Sequence, residues 1–299
     1  MRLDIIFEDE YMIAVVKPAG VSSQQDRGAG EDLYTAVQNY LFDQKQKDMA
    51  SRRNVDATEQ SGIGEEIEEP YLAVINRLDR PVGGIVLFAK DEKIAAELSD
   101  MIQDRDIDKY YQAVVTGTFE DFEGEFEDYI LVDKKTNTSK IVPAGTKGAK
   151  KAVLEYEVLD ELDMDEGPMA LVLIHLLTGR HHQIRCQMAY HKLPLWGDTK
   201  YNPKFQNAGN AGGKNGQGQN GKGGKNAAAG KNAKYGKSKF GKGQNGKGGK
   251  GAGQNAPRFT SVGLYSTRME FEHPVTGELV TLHREPEGQA FEMIDQMDF

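Results

Sequence analysis

The chain has 299 residues, with 37 basic and 46 acidic groups and a net charge of −9. An average this acidic argues against a nucleic-acid binder. No run approaches the roughly 18–20 apolar residues of a membrane span, Met1 to Asp9 lacks the apolar run of a signal peptide, and the single cysteine, Cys186, excludes both an intramolecular disulfide framework and a structural zinc site built on two cysteines of this chain. These features point to the cytoplasm, and no 20–50-residue period marks a solenoid.

Taken in chain order, Ile5 to Phe7 and Tyr11 to Val16 are β-branched-rich runs that read as two strands, stopped by Lys17-Pro-Ala-Gly20. Leu33, Val37 and Leu41 recur at four-residue spacing and predict a helix, and the polar span Asp43 to Glu69 reads as a surface loop. Tyr71 to Ile75 and Ile85 to Ala89 are apolar strands, and Asp91 caps a helix with Ile94, Leu98, Met101 and Ile102 on its apolar face. Tyr110 to Val115, Lys151 to Leu159 and Leu171 to Leu177 predict further strands. The last runs through Thr178-Gly-Arg180 into a helix over His182 to Tyr190. Alternating Tyr265, Thr267, Met269 and Phe271, a turn at His273 to Gly277, and Leu279 to Leu282 make a closing hairpin. Long hairpins with interspersed helices predict an α+β fold.

Residues 203–257 break this pattern. They hold 17 of the 34 glycines, 13 Asn and Gln, and 11 of the basic residues, with no Asp, Glu, Val, Ile, Leu or Met. The other 244 residues therefore carry 26 basic against all 46 acidic groups, a balance of −20. Such a segment cannot bury enough apolar surface to offset its ordering entropy, so it reads as a disordered insert in one domain formed by 1–202 and 258–299. Its lysines suit a non-specific tether for a polyanion, with Phe205, Tyr235 and Phe240 able to stack on aromatic groups; a solvated insertion without a role is the alternative.

The densest chemistry lies in Ile75 to Lys90. Asp79 sits between Arg77 and Arg80 on a polar turn, and a carboxylate beside an arginine stays ionised even when partly buried, as a nucleophile requires. Gly83-Gly84 admits close approach of a backbone or ligand. A surface turn with a structural ion pair fits the same spacing. His182 and Cys186 stand four apart as a metal pair too small to be a site, and Gly236-Lys-Ser238 lacks the glycine and preceding strand of a phosphate loop. Trp196 reads as core.

Asn76-Arg-Leu-Asp-Arg-Pro-Val-Gly-Gly-Ile-Val-Leu-Phe-Ala-Lys90 resembles the signature of the RluA-type pseudouridine synthases. Tyr11 to Gly20, Lys109-Tyr-Tyr-Gln-Ala113, Thr178-Gly-Arg-His-His-Gln-Ile-Arg185 with Gly197-Asp198-x-x-Tyr201, and His273-Pro-Val-Thr-Gly277 are similar to further blocks of that family, in the same order. Asn76, Val82, Gly83 and His181 stand where the family commonly has His, Thr, Ser and Thr. No separate RNA-binding module is expected ahead of the catalytic domain.

The resemblance implies a mixed, mostly antiparallel sheet with flanking helices and a central RNA-binding cleft. It implies isomerisation of uridine in ribosomal or transfer RNA by a monomer without metal or cofactor. By the same resemblance Asp79 is the nucleophile, attacking base or ribose or removing a ribose proton to give a glycal. Arg185 pairs with it, and Tyr111 packs on the flipped uracil. Arg77 fills the gap left in the RNA stack, and Leu78 and Ile184 are pocket walls. Affinity for RNA depends on local cations, so Arg77, Arg80, Lys109, Arg180, Arg185, Lys192 and Lys200, all in or beside these blocks, are candidates for lining one cleft. A catalytically silent RNA-binding or assembly factor on the same fold is the rival expectation.

Overall fold

A computed structural model describes residues 1–24, 30–55, 68–164, 167–206 and 261–296. β1 (Ile5–Glu8) and β2 (Met12–Lys17) form an antiparallel pair whose turn is held by Asp9, its Oδ1 accepting from the backbone N–H groups of Tyr11 and Met12 at 2.7 Å each. β2 is buried along its whole length, as its unbroken apolar run requires.

α1 (Leu33–Val55) buries Leu33, Val37 and Leu41. It continues through residues that the polar sequence marks as a loop. Gln44 to Ala50 contains no Gly or Pro, so helix formers carry the element on after its apolar spacing has ended. The rest of that expected loop, residues 56–67, lies outside the described residues.

β3 (Ala73–Val74) is shorter than the expected Tyr71–Ile75. Beyond Ile75, the Asn76 side chain takes over the ladder, donating from Nδ2 to the Ile85 carbonyl and accepting from the Leu87 N–H. β4 (Gly83–Ala89) is followed by α2 (Glu92–Asp104), capped by Asp91 Oδ1, which accepts from Lys93 and Ile94 N–H.

β5 (Ile107–Thr116), β6 (Glu123–Asp133), β7 (Thr138–Val142), β8 (Lys150–Met164), β9 (Gly167–His175), α3 (Gln183–Tyr190), β10 (Leu264–Glu272), β11 (Leu279–His283) and α4 (Gln289–Asp295) complete the chain. Of these, β6, β7 and α4 are not evident from the sequence.

One sheet of eleven strands joins them in the order β1-β2-β4-β10-β5-β9-β8-β6-β7, with β3 on β4 and β11 on β10. All its pairings are antiparallel except β4 with β10, so the expected α+β class holds. Within β10, Ser266 pairs with Gly84 on one side and Tyr111 on the other. Gly84 has φ +116°, and a Cβ there would lie 2.3 Å from the Ser266 carbonyl oxygen. The close approach expected at Gly83-Gly84 is therefore to a strand, and only glycine permits it.

The Lys- and Gly-rich segment begins later than expected. Pro203 to Gln206 belong to the folded body: Phe205 is 7% exposed and packs edge-on against the buried Trp196, 5.3 Å between ring centres. Phe205 is thus core and unavailable for stacking on RNA. Tyr235, Phe240 and Gly236-Lys-Ser238 lie outside the described residues. The chain returns beside its point of departure, with Gly263 N–H donating to the Trp196 carbonyl at 2.9 Å.

Candidate active site

A cavity of about 1100 Å³ opens beside the junction of β4, β10 and β5. Its lining includes Arg77, Leu78, Asp79, Arg80, Lys109, Tyr111, Arg180, Ile184 and Arg185, residues separated by more than 100 positions in the chain. Lys200 joins them there, whereas Lys192 does not line the cavity.

Asp79 lies in the turn between β3 and β4, closed by Val82 N–H donating to its carbonyl at 3.0 Å. The Lys17 to Gly20 turn straps this loop in place. Gly20 N–H donates to the Arg80 carbonyl at 2.7 Å, Arg80 Nε donates to the Gly20 carbonyl at 2.9 Å, and Ser23 Oγ bridges the backbone of Leu78. Lys17 is fully buried, its Nζ donating to the carbonyls of Pro18, Val21 and Arg80. Burial pushes its pKa down to about 7, against the pull of Asp79.

Arg185 comes from α3, and its side chain is 4% exposed. Nη1 donates to Asp79 Oδ2 at 2.9 Å, while Nε and Nη2 make a bidentate pair with Asp198 at 2.7 and 2.9 Å. Burial alone would lower the guanidinium pKa; hydrogen bonding and charge from Asp198 first, then from Asp79, reverse that and raise it. Asp79 Oδ1 accepts no hydrogen bond among the described residues and belongs to a side chain that is 27% exposed on the cavity.

Tyr111, on β5, forms a buried wall of the cavity. Burial, with a smaller contribution from Asp79, pushes its phenol up to about 12, so the ring is neutral at pH 7. Leu78 and Ile184 are buried apolar walls, and Lys109 is buried beside them with its pKa lowered by desolvation. Arg77 and Arg80 are exposed at the rim, and Arg180 is held there by Nε donating to the Lys151 carbonyl.

Three features are not evident from residue order. Asp198 stands out in the sequence only as part of a motif, yet it is the carboxylate that Arg185 binds most completely. His182 suggests a metal ligand by type. Its Nε2 lies instead 3.5 Å from Asp79 Oδ2 and its Nδ1 2.8 Å from Tyr201 Oη. Cys186 is buried with its thiol pushed up to about 11, and the described residues contain no group of three or more His, Cys, Asp or Glu placed to hold a metal.

The third is the stretch Lys134 to Lys151, spanning the β6–β7 turn and the start of β8. It exposes Lys134, Lys135, Lys140, Lys147, Lys150 and Lys151 and contains no acid. The run is legible as charge but carries no motif that would single it out.

One open carboxylate oxygen faces this cavity, with a buried cation behind it and exposed cations at the mouth. Such a site can hold a polyanion and present a carboxylate to it. The class this suits is an enzyme that acts on a polyanionic substrate. The sequence profile of the family described as RNA pseudouridylate synthase matches residues 11–190, and the chain belongs to that family: it is a pseudouridine synthase, an isomerase.

Over 212 residues it is 30% identical to tRNA pseudouridine synthase C of Vibrio cholerae, covering 69% of this chain and 76% of the relative. Ribosomal large subunit pseudouridine synthase D of Borreliella burgdorferi is 30% identical over 66% of this chain and 54% of its own. Among solved structures, human RNA pseudouridylate synthase domain containing 4 shares the fold, with a TM-score of 0.61 at 17% identity over 98% of this chain and 92% of the human one. No helix among the described residues is long and apolar enough to cross a membrane.

Proposed function

We propose that this enzyme isomerises specific uridines in ribosomal or transfer RNA, with Asp79 as the nucleophile. The observation that carries this reading is the Asp79–Arg185 pair, in which one oxygen is anchored at 2.9 Å and the other is open to the cavity. The bond from ribose to N1 of the uracil breaks, the base turns, C5 rejoins the ribose and gives up its proton, and N1 takes up a proton in its place; no atom is gained or lost overall. Tyr111 packs on the extruded base against Leu78 and Ile184, and Arg77 at the rim occupies the vacated place in the RNA stack. Carboxylate, guanidinium and phenol supply the groups this needs, so we assign no metal or cofactor.

Arg80, Lys109, Arg180 and Lys200, with the exposed lysines of 134–151, supply the local positive field that the net charge conceals. We read 1–206 and 258–299 as a single catalytic domain acting as a monomer in the cytoplasm. The intervening lysine-rich stretch adds non-specific attraction for phosphates.

Mapping pseudouridine in total RNA from cells carrying Asp79→Asn, beside the parent, tests the reading. Loss of one or a few sites supports it and names the target. Persistence of every site, with purified protein modifying no transcript, makes the chain a silent RNA-binding factor.

A further inference from the structure

Arg185 spends two of its three donating groups on Asp198, leaving Nη1 alone for Asp79. A single hydrogen bond leaves a carboxylate free to swing about its own axis. The second neighbour of the same oxygen is His182 Nε2 at 3.5 Å, a length that commonly shortens when substrate closes a site.

The proton on that nitrogen can be assigned from the chain of bonds behind it. Tyr201 Oη accepts from the Ser139 backbone N–H at 2.7 Å, so its own proton is free to be donated. Burial pushes that phenol up to about 12 and keeps the proton in place. His182 Nδ1 stands 2.8 Å from Oη, within reach to accept that proton. A neutral imidazole that accepts at Nδ1 carries its hydrogen at Nε2, facing Asp79.

The ring is also mechanically fixed. It stacks on His181 at 3.8 Å between centres, meets Tyr201 edge-on, and hangs from a backbone in the left-handed region, φ 52°, at the entry to α3. The titratable and charged groups around it are Asp79, Arg185, His181, Lys200 and Tyr201. Burial first, helped by the cations, holds its pKa down at about 4 despite Asp79.

We propose that His182 is a positioning residue: Tyr201 sets its tautomer, its neutral Nε2–H restrains Asp79 Oδ2, and Oδ1 is thereby left as the attacking oxygen. This rests on Asp79 being the nucleophile. A neutral donor restrains the carboxylate without the further loss of nucleophilicity that a second cation would cause.

The first test needs no activity. In the full-length free enzyme, nitrogen-15 NMR of His182 at pH 7 should show a neutral ring protonated at Nε2, and Tyr201→Phe should convert it to a mixture of tautomers. An Nδ1-protonated or charged ring in the parent, or an unchanged population in Tyr201→Phe, overturns the proposal.

The second test uses a transcript carrying the mapped target uridine. His182→Asn suits the left-handed backbone and still reaches Tyr201, but presents nothing to Asp79. It should lower kcat on the order of tenfold at unchanged RNA Kd, and His182→Gln, which replaces the Nε2 donor, should recover part of the loss. Full kcat in His182→Asn, or a fall confined to RNA affinity, overturns it. If Asp79→Asn retains activity, the nucleophile assignment fails, while the NMR result still reports the tautomer by itself.

Discussion

Arg185 holds two carboxylates, and their surroundings differ as those of a structural acid and of the nucleophile we propose should. The Asp198 side chain is 0% exposed, and both its oxygens are occupied: Arg185 takes one each from Nε and Nη2, and the N–H groups of Lys200 and Tyr201 add to Oδ1 at 2.8 and 3.1 Å. Asp79 shares the same guanidinium but is more than a quarter exposed and offers its second oxygen to the cavity. A carboxylate whose bonding capacity is saturated can only hold; one left half-satisfied beside an open space can react. Asp198 thus fixes the guanidinium, and the guanidinium fixes Asp79.

The largest effect separating the two is on chemistry. Asp79→Asn should reduce pseudouridine formation to background in a single-turnover assay while urea unfolding changes by less than about 1 kcal/mol, because the side chain is part-exposed. Asp198→Asn should do the opposite first. It leaves a buried guanidinium short of its main partner, and the chain should lose about 3–5 kcal/mol in urea unfolding. Equal loss of stability in both variants would erase the distinction between them.

Gly84→Ala should destabilise by about 1–3 kcal/mol through overpacking alone, with the positive φ adding to it. It disturbs the strand that supports both Asp79 and Tyr111, and its circular dichroism melt would show the effect.

Acid should act through His182. The folded chain holds that ring near a pKa of about 4, below its ordinary 6.5, so between those values the unfolded chain binds the proton more readily. Stability should therefore fall as pH drops from 6.5 towards 4, by up to about 3 kcal/mol from this group. Urea unfolding at pH 7, 5 and 4 should show a smaller fall in His182→Asn than in the parent.

The smallest effect is the most distributed. Lys134→Gln, Lys135→Gln and Lys140→Gln together should leave kcat intact, weaken RNA binding, and flatten its dependence on salt by about 0.7 in log–log slope for each phosphate no longer neutralised. Deleting 207–257 should flatten the same slope independently; an unchanged slope would remove that segment from RNA binding.

Much of this is legible in residue order. Asp91 announces α2, the run from Leu171 through Arg180 announces a strand leading into a helix, and Asp79 with Arg185 can be paired through a resemblance. What stays hidden has physical reasons. Asp198 carries no role of its own within its motif until folding places it on Arg185, 13 positions away. The polar half of α1 carries no apolar stripe, so helix propensity acts there without the periodicity that usually reveals it. β6 alternates Glu123, Glu125 and Glu127 with less exposed residues, and its charge masks a strand. His182 can be seen as a ligand by type, but its partner Tyr201 becomes visible only in three dimensions.

The position of Ser266 between Gly84 and Tyr111 also bears on how the protein is made. β10 sits in the middle of the sheet but emerges from the ribosome about 90 residues after β9, a delay on the order of ten seconds at about 5–20 residues per second. Until then β5 presents an unpaired edge, and β4 an unpaired stretch at Gly83 and Gly84, and such edges invite wrong partners. The sheet is therefore closed by the last central strand to be synthesised, and a nascent chain that has not reached residue 266 lacks both the join between β4 and β5 and the Leu264 wall of the cavity.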